Sequence, residues 1–162
     1  MRYFTGIVAF FAVIVACCQA LGQGAEFKTL EGTWQITELV IGGLKIPEKE
    51  VAGMKFVFSK DKDKDKDVAY EKLTIHPPPA DTGVVEKRTF KLKFNNAKKP
   101  AEVNTEALDG EFKGVVSPGI YDVKGDVLRW CQSDDEKATE RPKEFVSPDK
   151  SRIYIFTFKR VK

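Results

Sequence analysis

Any chemistry in this 162-residue chain would have to pass through very few groups. His76 is the only histidine, so a Ser-His-Asp or Cys-His arrangement would have a single base to use. It stands before Pro77-Pro78-Pro79 and reads as a loop residue. No Gly-x-Ser-x-Gly occurs, and no glycine-rich phosphate loop precedes a helix. Zinc takes three or four His, Cys or carboxylate ligands, and His76 with Cys131 falls short of that. Asp61, Asp63, Asp65 and Asp67 match positions one, three, five and seven of a calcium loop. That loop also needs glycine at six and a bidentate glutamate at twelve, where this chain has Lys66 and Lys72. The interleaved lysines cancel the negative charge, so Lys60 to Asp67 reads as a solvated turn. Asp and Glu are plentiful but no pair stands out. The residue types point away from an enzyme, a metal site or a cofactor.

Cys131, two residues from Arg129, is a candidate reactive thiol. Nothing near it in sequence lowers its pKa, and it reads as a small buried residue. Alternation puts Arg129 and Cys131 on one strand face and Leu128 and Trp130 on the other. The groups to watch for an anionic ligand are Tyr121, Arg129 and Arg141, because arginine offers paired donors to a carboxylate.

Period-two alternation recurs along the chain, and long helical periodicity does not. The first strand begins at Trp34-Ile36 and runs to about Ile41, where Gly42-Gly43 turns it. Pro47 and the acids before Gly53 predict one short helical turn. "MKFVFS" and "VAYEKLTI" follow as strands, the second stopped by the three prolines. "VVEKRTFKLKF" is the fourth, with Phe90, Leu92 and Phe94 opposed to Lys91 and Lys93. "AEVNTEAL", "VVSPGIYDV" and "VLRWC" come next, the last two joined by a tight Lys124-Gly125-Asp126 hairpin. A polar loop spans Gln132 to Lys143, and "RIYIFTFKR" closes the chain. About eight short, tightly linked strands favour an all-β, antiparallel up-and-down barrel over a sandwich. Eight strands is also the number at which a barrel encloses side chains or one small ligand.

In such a barrel Gly32-Thr33-Trp34 has a structural use. A tryptophan at the first strand can cover one end of the core, with an arginine from the last strand over its indole. Arg152 and Arg160 are the candidates, and such a cation–π contact is worth about 0.5–2 kcal/mol. That role closes the barrel without touching a ligand.

The chain opens with a different kind of segment. Arg2 is followed by ten unbroken apolar residues, Ile7 to Ala16, against the roughly 20 that a membrane-spanning helix needs. Residues 1–22 therefore read as an export signal, which predicts a periplasmic, cell-envelope or secreted protein. Ile14-Val15-Ala16-Cys17 has the pattern of a lipobox, making Cys17 a lipidation candidate and the N-terminus a membrane tether. The rival cleavage falls after Gly22 and leaves Cys131 as the one cysteine, so no disulfide framework holds the domain. Either cut removes only Arg2 among the charges and leaves 26 basic against 24 acidic residues. The basic residues alternate with acids instead of clustering, which argues against nucleic acid as a partner.

Four blocks in order carry a resemblance. They are "LEGTWQI" at Leu30, "FKLKFNNAKKPAEV" from Phe90, "GIYDVKGDVLRWC" from Gly119 and "RPKEF" from Arg141. Together they resemble an uncharacterised family of small exported proteins, abundant in planctomycete bacteria, with a lipocalin-like domain. The resemblance covers nearly all of residues 30–162, although the Lys-Asp run and His76 to Thr82 lengthen a region that is a compact hairpin in the family. It implies the fold and export, and it brings no activity, substrate or site residue. The expected role is non-catalytic binding of a small, partly apolar molecule inside the barrel. The alternative is an inhibitor-like or envelope-structural module with a filled barrel and a protein partner.

Overall fold

A computed structural model describes residues 27–63, 68–78, 87–133 and 140–162. The leader with Cys17, Pro79 to Glu86 and the second half of the Lys-Asp run lie outside these residues, as does part of the polar loop after Ser133. Among the described residues nine strands form: β1 (Gly32–Ile41), β2 (Leu44–Ile46), β3 (Lys55–Asp63), β4 (Val68–His76), β5 (Arg88–Asn95), β6 (Ala101–Ala107), β7 (Val116–Lys124), β8 (Val127–Ser133) and β9 (Ile153–Arg160). A short helix α1 covers residues 27–30, and α2 covers Glu48–Val51.

From β3 to β9 each strand pairs antiparallel with the next. The ring closes because β9 also pairs with β1, from Trp34↔Arg160 to Ile41↔Tyr154. The first half of β1 pairs with β3, while its second half leaves β3 and carries the short hairpin strand β2 instead. The product is a closed eight-stranded antiparallel barrel, with β2 as an appendage of β1. Alternation gives each strand an inner face: Phe56 and Phe58 on β3, Phe90, Leu92 and Phe94 on β5, Leu128 and Trp130 on β8, Phe156 and Phe158 on β9. In β1 the register slips between Ile36 and Glu38. That bulge lets Ile36 and Leu39, which are three apart, both be buried in the core. Burying each such side chain contributes about 1.5–3 kcal/mol, and among the described residues no disulfide adds to it.

The structure refines several sequence expectations. Strand β8 continues to Ser133, so Gln132 belongs to the barrel wall and not to the following loop. His76 ends β4, paired with Lys55, and is not a loop residue. The helical turn before Gly53 is α2, and α1 is a second one at the other end.

The barrel has a floor and a mouth. Strands β1, β6 and β8 rise from the floor, where α1 and the Lys124–Val127 turn lie. They end at the mouth, where β5, β7 and β9 begin.

Candidate ligand-binding cavity

The floor is sealed by Trp34, with an open groove beside it lined by Thr29, Lys99, Tyr121, Asp126, Arg129 and Arg160. Trp34 is fully buried, and its Nε1 donates to the Leu30 carbonyl in α1 at 2.7 Å. The Arg160 guanidinium lies over the indole, 4.2 Å from the ring. Its Nη1 donates to the Glu31 carbonyl at 2.8 Å, its Nη2 to the Thr29 carbonyl, and its Nε faces Asp126 at 3.5 Å. Gly32 has φ of 120°, and a Cβ there would sit 3.4 Å from Arg160 Nη1. Gly32, Trp34 and Arg160 thus form one assembly, joined by the carbonyls of Thr29, Leu30 and Glu31. Arg152, the other arginine considered for this role, lies at the mouth.

Above the floor runs an aromatic layer. Phe58 and Tyr121 each stand 6.0 Å from Trp130, and Phe94 meets Tyr121 edge-on at 5.2 Å. The Tyr121 hydroxyl donates to Asn96 Oδ1 at 2.6 Å. This layer fills the middle of the barrel, and Trp130 is its upper boundary.

Beyond Trp130 the interior opens. A cavity of about 300 Å³ is walled by apolar side chains including Phe56, Ile75, Phe90, Tyr154 and Phe156, with Phe112 and Val115 contributed by the β6–β7 loop. Three of its polar side chains are linked in series. Trp130 Nε1 donates to Gln132 Oε1 at 2.9 Å, Gln132 Nε2 donates to Thr105 Oγ1 at 2.8 Å, and Thr105 Oγ1 donates to the Ser117 carbonyl at 3.3 Å. Arg88 and Arg152 complete the lining, and among the described residues no Asp or Glu does. A cavity at the lower end of the usual 300–1,000 Å³ range for small-molecule sites, apolar with a few polar groups, suits one compact ligand.

Of the polar groups expected to contact a ligand, none lines this cavity. Tyr121 faces inward but is committed to the aromatic layer and Asn96. Arg129 points outward and covers the Phe145 ring at 4.3 Å. Arg141 lies on the outer wall, where Nη1 donates to the carbonyls of Val103 (2.7 Å) and Gly119, and Nη2 to Asn104 Oδ1 (2.7 Å). Sequence reasoning missed Arg88, Arg152 and Gln132. The signal was available: each continues the inward parity of its strand, as in Arg88-x-Phe90-x-Leu92 and Arg152-x-Tyr154-x-Phe156.

Cys131 is fully buried on the outer face of β8, beneath the segment that carries Arg141 and Phe145, with Sγ 3.7 Å from the Glu144 carbonyl. Burial pushes its thiol from 9.0 up to about 11, against a smaller downward pull from Arg129. The folded protein therefore keeps this proton through a range where the unfolded chain releases it. The contribution to stability is complete below pH 9 and is lost as pH rises towards 11. We expect unfolding free energy to fall more steeply over that window in the wild type than in Cys131→Ala, by up to about 2 kcal/mol. Denaturant titrations at a series of pH values check this, and parallel curves for the two proteins would rule it out.

No family model matches the chain, and no curated protein or solved structure does either.

Proposed function

We propose that the protein is an exported, non-catalytic, lipocalin-like carrier that holds one small, partly apolar molecule in the mouth of its barrel. The observation that carries this is the contrast between the two halves of one interior. Below Trp130 aromatic side chains fill the space, and above it about 300 Å³ stays open between apolar walls. A barrel that only had to be stable would gain by filling that volume, since open apolar space forfeits packing energy. The alternative, a filled barrel serving as an inhibitor-like or envelope-structural module, fits the floor half alone. Residues 1–22 supply the export signal in this reading, with Cys17 as the point of a lipid tether if cleavage falls before it. An N-terminal peptide starting at Cys17 with acyl mass, or at Gln23 without it, decides between the two cleavage sites.

The test is a fluorescence titration with N-phenyl-1-naphthylamine, an uncharged apolar dye, on the purified protein and on Ala107→Phe. Ala107 lines the cavity, and a phenyl ring there occupies much of it. Saturable binding at one site in the wild type, weakened at least about tenfold in Ala107→Phe, is the expected result. A wild type that binds no dye, or a variant that binds as well, would overturn the reading.

A further inference from the structure

The mouth carries positive charge where strand alternation calls for apolar side chains. Arg88 opens β5 on the face of Phe90, Leu92 and Phe94, and its register partner Ile75 also lines the cavity. Arg152 stands one residue before β9 on the parity of Tyr154, Phe156 and Phe158. Strands β5 and β9 are four steps apart in either direction round the closed ring, so the two arginines approach the opening from opposite sides. Arg88 rests on the Phe112 ring at 5.8 Å, a contact that uses its charged face and leaves its N–H donors for another acceptor.

The deeper polar groups bear on orientation. Trp130, Gln132 and Thr105 are linked in one chain of hydrogen bonds and are all uncharged. A ligand head group at that depth would meet only neutral polar groups, whereas the rim offers guanidinium. Resting on the reading of this cavity as a ligand site, we propose that the ligand is an amphiphilic monoanion. Its apolar body lies between Phe56, Ile75, Phe90 and Phe156, and its carboxylate or similar head stays at the rim on Arg88. Arg152 adds positive potential from across the opening. Charge-assisted hydrogen bonds are about twice as strong as neutral ones, and a head at the rim keeps part of its hydration and avoids the cost of a buried ion. A cationic amphiphile would meet the like charge of Arg88 and, among the described residues, no lining carboxylate, so the same geometry selects against it.

The experiment compares two dyes that share one body and differ by one charge: 1-anilinonaphthalene-8-sulfonate and N-phenyl-1-naphthylamine. Each is titrated into the wild type, Arg88→Gln, Arg88→Gln/Arg152→Gln and Ala107→Phe. The expected result is a sulfonate affinity about tenfold above that of the neutral dye in the wild type, with the ratio falling to about threefold or less in Arg88→Gln and towards one in the double variant. Sulfonate binding should also be lost in Ala107→Phe, which places it in the cavity. Equal affinities in the wild type, an unchanged ratio in the arginine variants, or sulfonate binding that survives Ala107→Phe would each overturn the anion while leaving the cavity. Absence of binding by either dye would overturn both the anion and the cavity.

Discussion

Trp34→Ala is expected to lower the unfolding free energy by about 3–5 kcal/mol, the largest single-residue effect in the barrel. Three losses coincide at that position. A fully buried indole leaves a void in the floor, where neighbours from β1, β3 and β9 are held by their ladders and cannot collapse inward. The Leu30 carbonyl loses its donor in a buried place, which costs about 1–3 kcal/mol when no water replaces it. Arg160 loses the ring under its guanidinium but keeps its bonds to the Glu31 and Thr29 carbonyls, so α1 stays tied by one residue. Trp34→Phe separates these terms: it restores most of the ring and none of the N–H, and should cost about 1–2 kcal/mol. Urea titrations followed by the fluorescence of Trp130 measure both variants. A loss under about 1 kcal/mol for Trp34→Ala would mean that the floor does not depend on this residue. Dye binding at the mouth should survive Trp34→Phe, because Trp34 lies below the aromatic layer and does not line the cavity.

The floor was legible in the sequence because its parts are local or close in pattern. Gly32 and Trp34 stand two residues apart, and the partner arginine had to sit on the strand that closes the ring. What the sequence did not decide was which of Arg152 and Arg160 it would be. The two lie at opposite ends of β9, and only the register Trp34↔Arg160 settles it. The mouth was harder for a physical reason. Its lining is drawn from seven strands and a loop, so its composition depends on register across the whole ring. Alternation told inside from outside along β5, β8 and β9, yet it does not tell a filled level from an open one. Tyr121 illustrates this: it faces inward as its parity requires, but at a level that Phe94 and Trp130 already fill. Arg141 was singled out as a donor to an anionic ligand, but its acceptors are two backbone carbonyls and Asn104 of this chain.

Arg141→Met should cost about 2–4 kcal/mol and, more tellingly, should open the outer wall before the barrel itself unfolds. The segment from residue 140 to Ser147 crosses the outside of β6, β7 and β8, where it covers Ile120 and Cys131, both buried on the outward face. Three contacts pin it. Arg141 donates to Val103, Gly119 and Asn104, and its Nε faces Glu102 at 3.7 Å. Phe145 lies under Arg129, and Ser147 bridges the Gly43 N–H at 3.2 Å and the Ile153 carbonyl at 2.7 Å. Methionine keeps much of the apolar stem but leaves two carbonyls and Asn104 without their charged donor. The segment then loses its first pin while the barrel ladders beneath it remain. Cys131 reports this directly: its thiol should react with a disulfide reagent at pH 8 only on opening in the wild type, and at least about tenfold faster in Arg141→Met, since each tenfold corresponds to about 1.4 kcal/mol of opening free energy. Arg141→Lys should recover only part of the protection, because one ammonium cannot hold the strand carbonyls and Asn104 in the planar geometry of a guanidinium. Labelling that accelerates only in proportion to global destabilisation would show the segment and the barrel to be one cooperative unit. Labelling and midpoint both unchanged would show that the Arg141 bonds do not hold the wall at all. The faster label with a smaller loss of global stability is the signature of a covering segment held mainly by one side chain.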